Sequence, residues 1–157
     1  MTWSVVIESP VSAPRLFKAA ILDWHNLGPK LAPEIISGGT EESGDGGAGS
    51  VRQLNFTSVM PFSYVKERLD FVDHEKFECQ STIIEGGHLG TRLESASAHF
   101  KVEPTSAGGS IATVTTNTKP LPGIEADEGI IAAAKGAIEK HFRAAEAYLL
   151  ANPDAYV

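Results

Sequence analysis

From Glu125 to Ala151 the chain repeats apolar residues at helical spacing. Ile131, Ala134, Ile138, Phe142, Ala145 and Leu149 recur at three- and four-residue intervals and fall on one face. Ile130, Ala137, His141 and Tyr148 flank that face, and Lys140, Arg143 and Glu146 occupy the opposite arc. The pattern predicts one long amphipathic helix, which needs a large apolar surface to lie on. Its stripe is light, with Ala at two of six positions, and Gly129 and Gly136 weaken the helix further. Side chains this small leave space beneath them.

The preceding chain must supply that surface. Trp3 to Glu8 is short and β-branched, a strand by composition, and Pro10 ends it. Ser12 and Pro14 make a helix start, with Leu16, Phe17, Ala20, Ile21 and Trp24 as its apolar face. Gly28-Pro29 is expected to break this helix, leaving at most one short turn before Pro33, so two short helices should meet at a bend. Strand patterns then follow at Ile35-Ile36, Val51–Ser58, Tyr64–Val72, Phe77–Ile84, Arg92–Val102 and Ser110–Thr118. Gly38–Gly49, Met60-Pro61, Glu85-Gly86-Gly87 and Gly108-Gly109 punctuate them, and Lys119–Gly123 is a stiff linker into the last helix. Short turns between successive strands indicate an antiparallel sheet. The fold class predicted is α+β: one domain over residues 1–157, with a curved sheet of about seven antiparallel strands around the long helix, two short helices, and a cavity where the stripe is thin.

A net charge of −7, from 13 basic and 20 acidic residues, argues against a protein whose main work is gripping nucleic acid or an anionic membrane. Cys79 is the single cysteine, so no intrachain disulfide forms and no zinc site can be built on thiolates. His25, His74, His88, His99 and His141 show no metal-ligand spacing, and neither a metal nor a cofactor is expected. No signal-peptide pattern opens the sequence and no apolar run reaches membrane-spanning length, which points to a cytoplasmic protein without a membrane partner.

Alternation assigns the inward faces. Val65, Glu67, Leu69 and Phe71 share one; Phe77, Cys79, Ser81 and Ile83 another; then Ala96, Ala98, Phe100 and Val102, and Ala112, Val114, Thr116 and Thr118. Small and apolar residues with a few hydroxyls suit a pocket for an apolar molecule with polar handles, although a filled core of small residues has the same pattern. Glu67 is costly on such a face unless paired. A structural pair with Arg52, in phase with Leu54 and Phe56, is preferred over a general acid or base role. Arg92 and Glu94 continue the phase of Ala96 toward one end of the cavity. His141 reads as a packed histidine or a hydrogen bonder at the pocket edge. Gly44-Asp45-Gly46-Gly47-Ala48-Gly49 matches G-x-G-x-x-G, but a strand follows it where a dinucleotide site needs a helix, so a hairpin turn is the reading. Exposed N–H groups there could still hold an anion weakly.

The glycine loop, then Tyr64-Val65-Lys66-Glu67-Arg68 with Val72-Asp73-His74, then Ile84-Glu85-Gly86-Gly87 resemble the plant pathogenesis-related class-10 proteins, relatives of the major birch-pollen allergen. Leu22-Asp23, Asn26-Leu27 and Pro29-Lys30 early, and Glu146–Leu150 with Asp154-Ala155-Tyr156 late, extend the resemblance over the whole chain. It implies a seven-stranded sheet gripping the C-terminal helix, two short helices forming a V, and a large cavity for amphiphilic ligands such as flavonoids, cytokinins, brassinosteroids and fatty acids, in a defence or stress setting. The expected ligand-binding residues, from phase and resemblance together, are Arg52, Leu54, Phe56, Val65, Glu67, Leu69, Cys79, Ser81, Ile83, Ala98, Phe100, Val114, Thr116, Ile138, His141 and Phe142. The partner is thus a small hydrophobic ligand, and the protein is expected to be a monomer.

The resemblance also implies an alternative, ribonuclease action on RNA, carried by Glu94, Glu146 and Tyr148 with Gly44, Asp45, Gly46, Gly47 and Gly49 as a phosphate loop. Arg52 stands where a lysine often follows that loop. Positions often tyrosine in allergen-like members are Cys79, Ser81 and Thr118 here, which widens the pocket. Thr116–Pro120 gives no convincing match to the catalytic lysine strand of the benzylisoquinoline-forming synthases. Glu85–Gly90 does not carry a recognisable abscisic-acid-receptor gate, so a receptor that inhibits a phosphatase is the least favoured reading.

Overall fold

The computed structural model describes residues 1–157. Strand β1 (Thr2–Ser9) leads into α1 (Ala13–Phe17), a π-helical turn (Lys18–Leu22) and α2 (Trp24–Leu31). Six further strands follow, β2 (Ile36–Ser43), β3 (Val51–Phe56), β4 (Tyr64–Asp73), β5 (Glu78–Gly86), β6 (Leu93–Pro104) and β7 (Ser110–Pro120), before α3 (Glu128–Ala151). The strands make one antiparallel sheet in the order β1-β7-β6-β5-β4-β3-β2. This is the predicted α+β architecture.

Three boundaries differ from expectation. Strand β2 continues to Ser43 through the first half of the Gly38–Gly49 stretch read as a break, because Gly38 to Glu41 pair with Asn55 to Arg52 of β3. The bend between the short helices lies at Asp23 (φ −111°, ψ 15°), and α2 runs through Gly28-Pro29. Pro29 lacks the N–H that would bond the His25 carbonyl four residues back. That carbonyl lies instead against Gly39 of β2, where a Cβ would come within 2.0 Å of it. One lost ladder bond is offset by burial of Trp24, His25, Leu27 and Gly28. Helix α3 begins at Glu128, three residues later than its periodicity predicts, because the Asp127 side chain accepts from the Gly129 and Ile130 N–H groups at 2.8 and 3.1 Å.

Register shows how the inner face divides. Ile7, Ala112 and Val102 pair across β1, β7 and β6, and all three are buried. The next row, Val5–Val114–Phe100–Cys79, closes the core. The row after that, Trp3–Thr116–Ala98–Ser81–Leu69, is mostly small or polar at its centre. Leu16, Phe17, Ile21, Trp24 and Leu27 from the short helices fill one pole against the first rows. The C-terminal half of α3 joins them with Phe142, Ala145 and Leu149 buried, whereas Ile131, Ala134 and Ile138 are only partly so. A bulge in β4 breaks the predicted phase. Leu69 faces Ser81 but Phe71 faces Gln80, so Asp70 is the extra residue, Phe71 turns outward at 37% exposure, and Val72 packs on the core.

Candidate functional site: an internal cavity

Beneath the N-terminal half of α3 lies a cavity of about 350 Å³, with 16 hydrophobic residues among its 27 lining residues. Ile130, Ile131, Ala134 and Ile138 form its roof, and Trp3, Thr116, Ala98, Ser81 and Phe100 its floor. Val65, Glu67 and Ile83 close one side. The mouth is framed by His88, Leu89 and Arg92 from the β5–β6 connection and by Ile124 to Asp127 ahead of α3. Arg92 and Asp127 approach to 4.0 Å across it. Burial and the neighbouring Arg92 lower the His88 pKa, so its imidazole is neutral near pH 7, and its ring sits edge-on to Phe62 at 5.0 Å.

Eight of the sixteen expected binding residues line this space: Val65, Glu67, Ser81, Ile83, Ala98, Phe100, Thr116 and Ile138. The other eight do not, and each has a physical reason. Cys79, Val114 and Phe142 lie in the filled pole, and burial pushes the Cys79 thiol up to about 12, leaving it a small apolar group. Leu54 and Phe56 pack on the outside of that core, and Leu69 is buried where its backbone joins Gly49 and Ser50. Arg52, 6% exposed, pairs through Nε with Glu67 and donates through Nη1 to the carbonyls of Ile21 (2.7 Å) and Leu22 (3.1 Å). His141 meets the neighbouring Ala20 carbonyl through Nε2 at 2.6 Å and stacks on Trp24 with ring centroids 3.8 Å apart. Desolvation drives its pKa down to about 4, so it is a neutral, packed imidazole that donates from Nε2.

Of the mouth, the sequence pattern marks only Arg92, in phase with Ala96 toward one end of the cavity. Met1, Trp3, Phe62, His88, Leu89 and Leu93 were not among the expected ligand-binding residues yet line the cavity. The alternation of β1 places Trp3 inward with Val5 and Ile7, a signal that was readable. His88 and Leu89 sit in a turn, where no periodicity marks which way a side chain faces.

The sequence profile of the Pathogenesis-related protein Bet v 1 family matches residues 1–152. The chain belongs to the Bet v 1 family. Among its Bet v 1 relatives, Pathogenesis-related protein 1 of Asparagus officinalis is 55% identical over 157 residues, covering 99% of this chain and 98% of its own. Major pollen allergen Bet v 1-M/N of Betula pendula is 43% identical over 148 residues, covering 94% and 92%. The crystal structure of Ara h 8.0201 matches with a TM-score of 0.84 at 28% identity, over 97% of this chain and 99% of that one.

The residues that the Bet v 1 resemblance offered for RNA cleavage do not converge. Glu94 is on the surface, paired with Lys119 at 3.0 Å, while Glu146 accepts from Arg143 at 2.9 Å. Arg92 stands beside Asp127 at the start of α3, and Glu146, nineteen residues further on, is roughly 28 Å down the helix axis. Tyr148 packs against the core pole. Nor is the glycine loop an open anion cradle. The N–H groups of Gly46, Gly47, Gly49 and Ser50 already bond to Ser50 Oγ, Asp45 Oδ1, Leu69 O and Gly47 O, so the loop of Gly44, Asp45, Gly46, Gly47 and Gly49 is a hairpin turn with four of its donors engaged within the protein. Arg52 points inward and is not available to a phosphate.

Proposed function

We propose that the protein holds one small hydrophobic or amphiphilic molecule in this cavity, as a carrier or buffer acting as a monomer in the cytoplasm. The observation that carries the reading is a largely apolar space of about 350 Å³ left under Ile131, Ala134 and Ile138, a size and lining suited to a small ligand. Plant hormones, flavonoids and other secondary metabolites are the ligand classes to try first. The relatives' designation as pathogenesis-related supports a defence or stress setting. No helix is long and apolar enough to cross a membrane.

Titration with the neutral fluorescent probe N-phenyl-1-naphthylamine tests this reading, followed by displacement with a panel of hormones and flavonoids. Saturable binding near one site per chain, displaced by one class, supports the carrier. Ser81→Trp should lower probe affinity by at least about tenfold by filling the floor, and Glu146→Gln should leave it unchanged. Absence of saturable binding to folded protein sinks the proposal.

A further inference from the structure

Polar side chains interrupt the apolar sheet side of the cavity, Thr116 and Ser81 on the floor and Glu67 beside it. The two on the adjacent strands β4 and β5, Glu67 and Ser81, are each left partly unbonded by the protein. Ser81 is 2% exposed and lines the cavity, yet its hydroxyl has no protein partner and stays open to the cavity space. Glu67 also lines the cavity; its Oε1 accepts from Arg52 Nε, while Oε2 has no protein partner. Ser81 pairs with Leu69 and Glu67 with Ile83, which makes the two side chains diagonal neighbours on one face of β4 and β5, roughly 7–8 Å apart at the backbone. A single bound hydroxyl lying between them can donate to the carboxylate and accept from the serine.

The charge facing the cavity selects among head groups. Arg52 balances Glu67 but stands behind it, its Nη1 turned to the Ile21 and Leu22 carbonyls, and it does not line the cavity. A carboxylate entering this end would be buried next to a like charge with no cation facing it. A cationic amine would add a positive charge to a pair that is already neutral. At the mouth, Arg92 stands beside Asp127 and His88 is neutral, so an acid gains little by binding the other way round.

We infer that the deep end of the cavity, between Glu67 and Ser81, takes the hydroxyl head of a neutral ring-bearing ligand, a phenol or an alcohol, and rejects a carboxylate there. The inference rests on the cavity-binding reading above and deepens it by naming the ligand's chemistry.

Calorimetric titration of 2-naphthol, naphthalene and 2-naphthoate at pH 7.5 separates the possibilities, because the three share one ring system and differ in the head. On the wild-type protein 2-naphthol should bind roughly tenfold more tightly than 2-naphthoate. Ser81→Ala, which leaves the Arg52–Glu67 pair intact, should weaken 2-naphthol about fivefold while naphthalene changes by less than about twofold. Equal affinity for the naphthol and the naphthoate overturns the inference, as does a Ser81→Ala effect that is the same for naphthol and naphthalene. If neither naphthol nor naphthalene binds the wild-type protein, the cavity reading itself fails and the inference with it.

Discussion

Arg52 and His141 act on the same piece of backbone from two sides. The last carbonyls of the first helical arm have no partner within their own helix. Ala20 receives the His141 Nε2–H, and Ile21 and Leu22 receive Arg52 Nη1. Glu67 then neutralises the buried guanidinium. Removing only the carboxylate, as in Glu67→Ala, should cost about 3 kcal/mol in urea unfolding, because it leaves a buried charge uncompensated. The double variant Arg52→Met/Glu67→Leu should recover most of that loss, and additive losses would show that the pair is not coupled. His141 makes a pH prediction. Its folded pKa of about 4 lies below the ordinary imidazole value of 6.5, so the unfolded chain takes up the proton first as pH falls. This contribution is complete above about pH 6.5 and is lost toward pH 4. Between pH 7.5 and 5 it amounts to roughly 2 kcal/mol, and His25, also lowered by burial, adds in the same direction. Unfolding free energies of wild type and His141→Gln at both pH values should differ in slope by that amount; parallel slopes would remove the assignment.

The elements hold each other by reciprocal capping. While α3 supplies His141 to the first arm, α1 supplies Arg15 to the carbonyls of Leu149, Asn152 and Ala155 at the end of α3. Helix α2 lies so close to β2 that Gly39 has no room for a side chain, whereas Gly38 beside it meets nothing nearer than Asn55 Nδ2 at 3.8 Å. Gly39→Ala should therefore lower the thermal midpoint and cost about 2 kcal/mol, with Gly38→Ala within about 0.5 kcal/mol of wild type. Comparable effects at both positions would mean that strand propensity rather than this contact governs them. The sheet and α3 were legible in the sequence because alternation and three-four spacing are local signals. The bend at Asp23 was not, since Gly28-Pro29 carries the stronger local break and only the contact of α2 with β2 overrides it. The outward turn of Phe71 depends on a bulge that alternation cannot register. Half of the expected site was misplaced for a related reason. Phase says that Cys79 and Ser81 face inward together, but only the cross-sheet rows tell that Cys79 lies in the filled pole behind Phe100, which borders the cavity, and that Ser81 meets Ala98 at the cavity floor.

At the scale of the whole molecule these rows divide the protein into a packed pole and a hollow one, spanned by a single helix. Phe142, Ala145 and Leu149 anchor the C-terminal half of α3 in the core, Ile138 touches both core and cavity, and Ile131 and Ala134 rest over empty space. Gly129 and Gly136 also fall in the half with less packing, where each weakens helix propensity by about 1 kcal/mol relative to alanine. Local opening free energy follows buried apolar contact, so the two halves of one continuous helix should differ in stability. Amide hydrogen exchange should show residues 130–139 exchanging at least about tenfold faster than residues 142–150 in the empty protein. A ligand filling the cavity supplies the missing contacts to the first half alone, and binding only the folded state stabilises it by mass action. Saturation should therefore slow exchange across 130–139, leave the ratio of rates within 142–150 unchanged, and raise the thermal midpoint with ligand concentration. Equal protection along the empty helix would show that the roof is held by something other than packing, and the loose half would then owe nothing to the cavity beneath it.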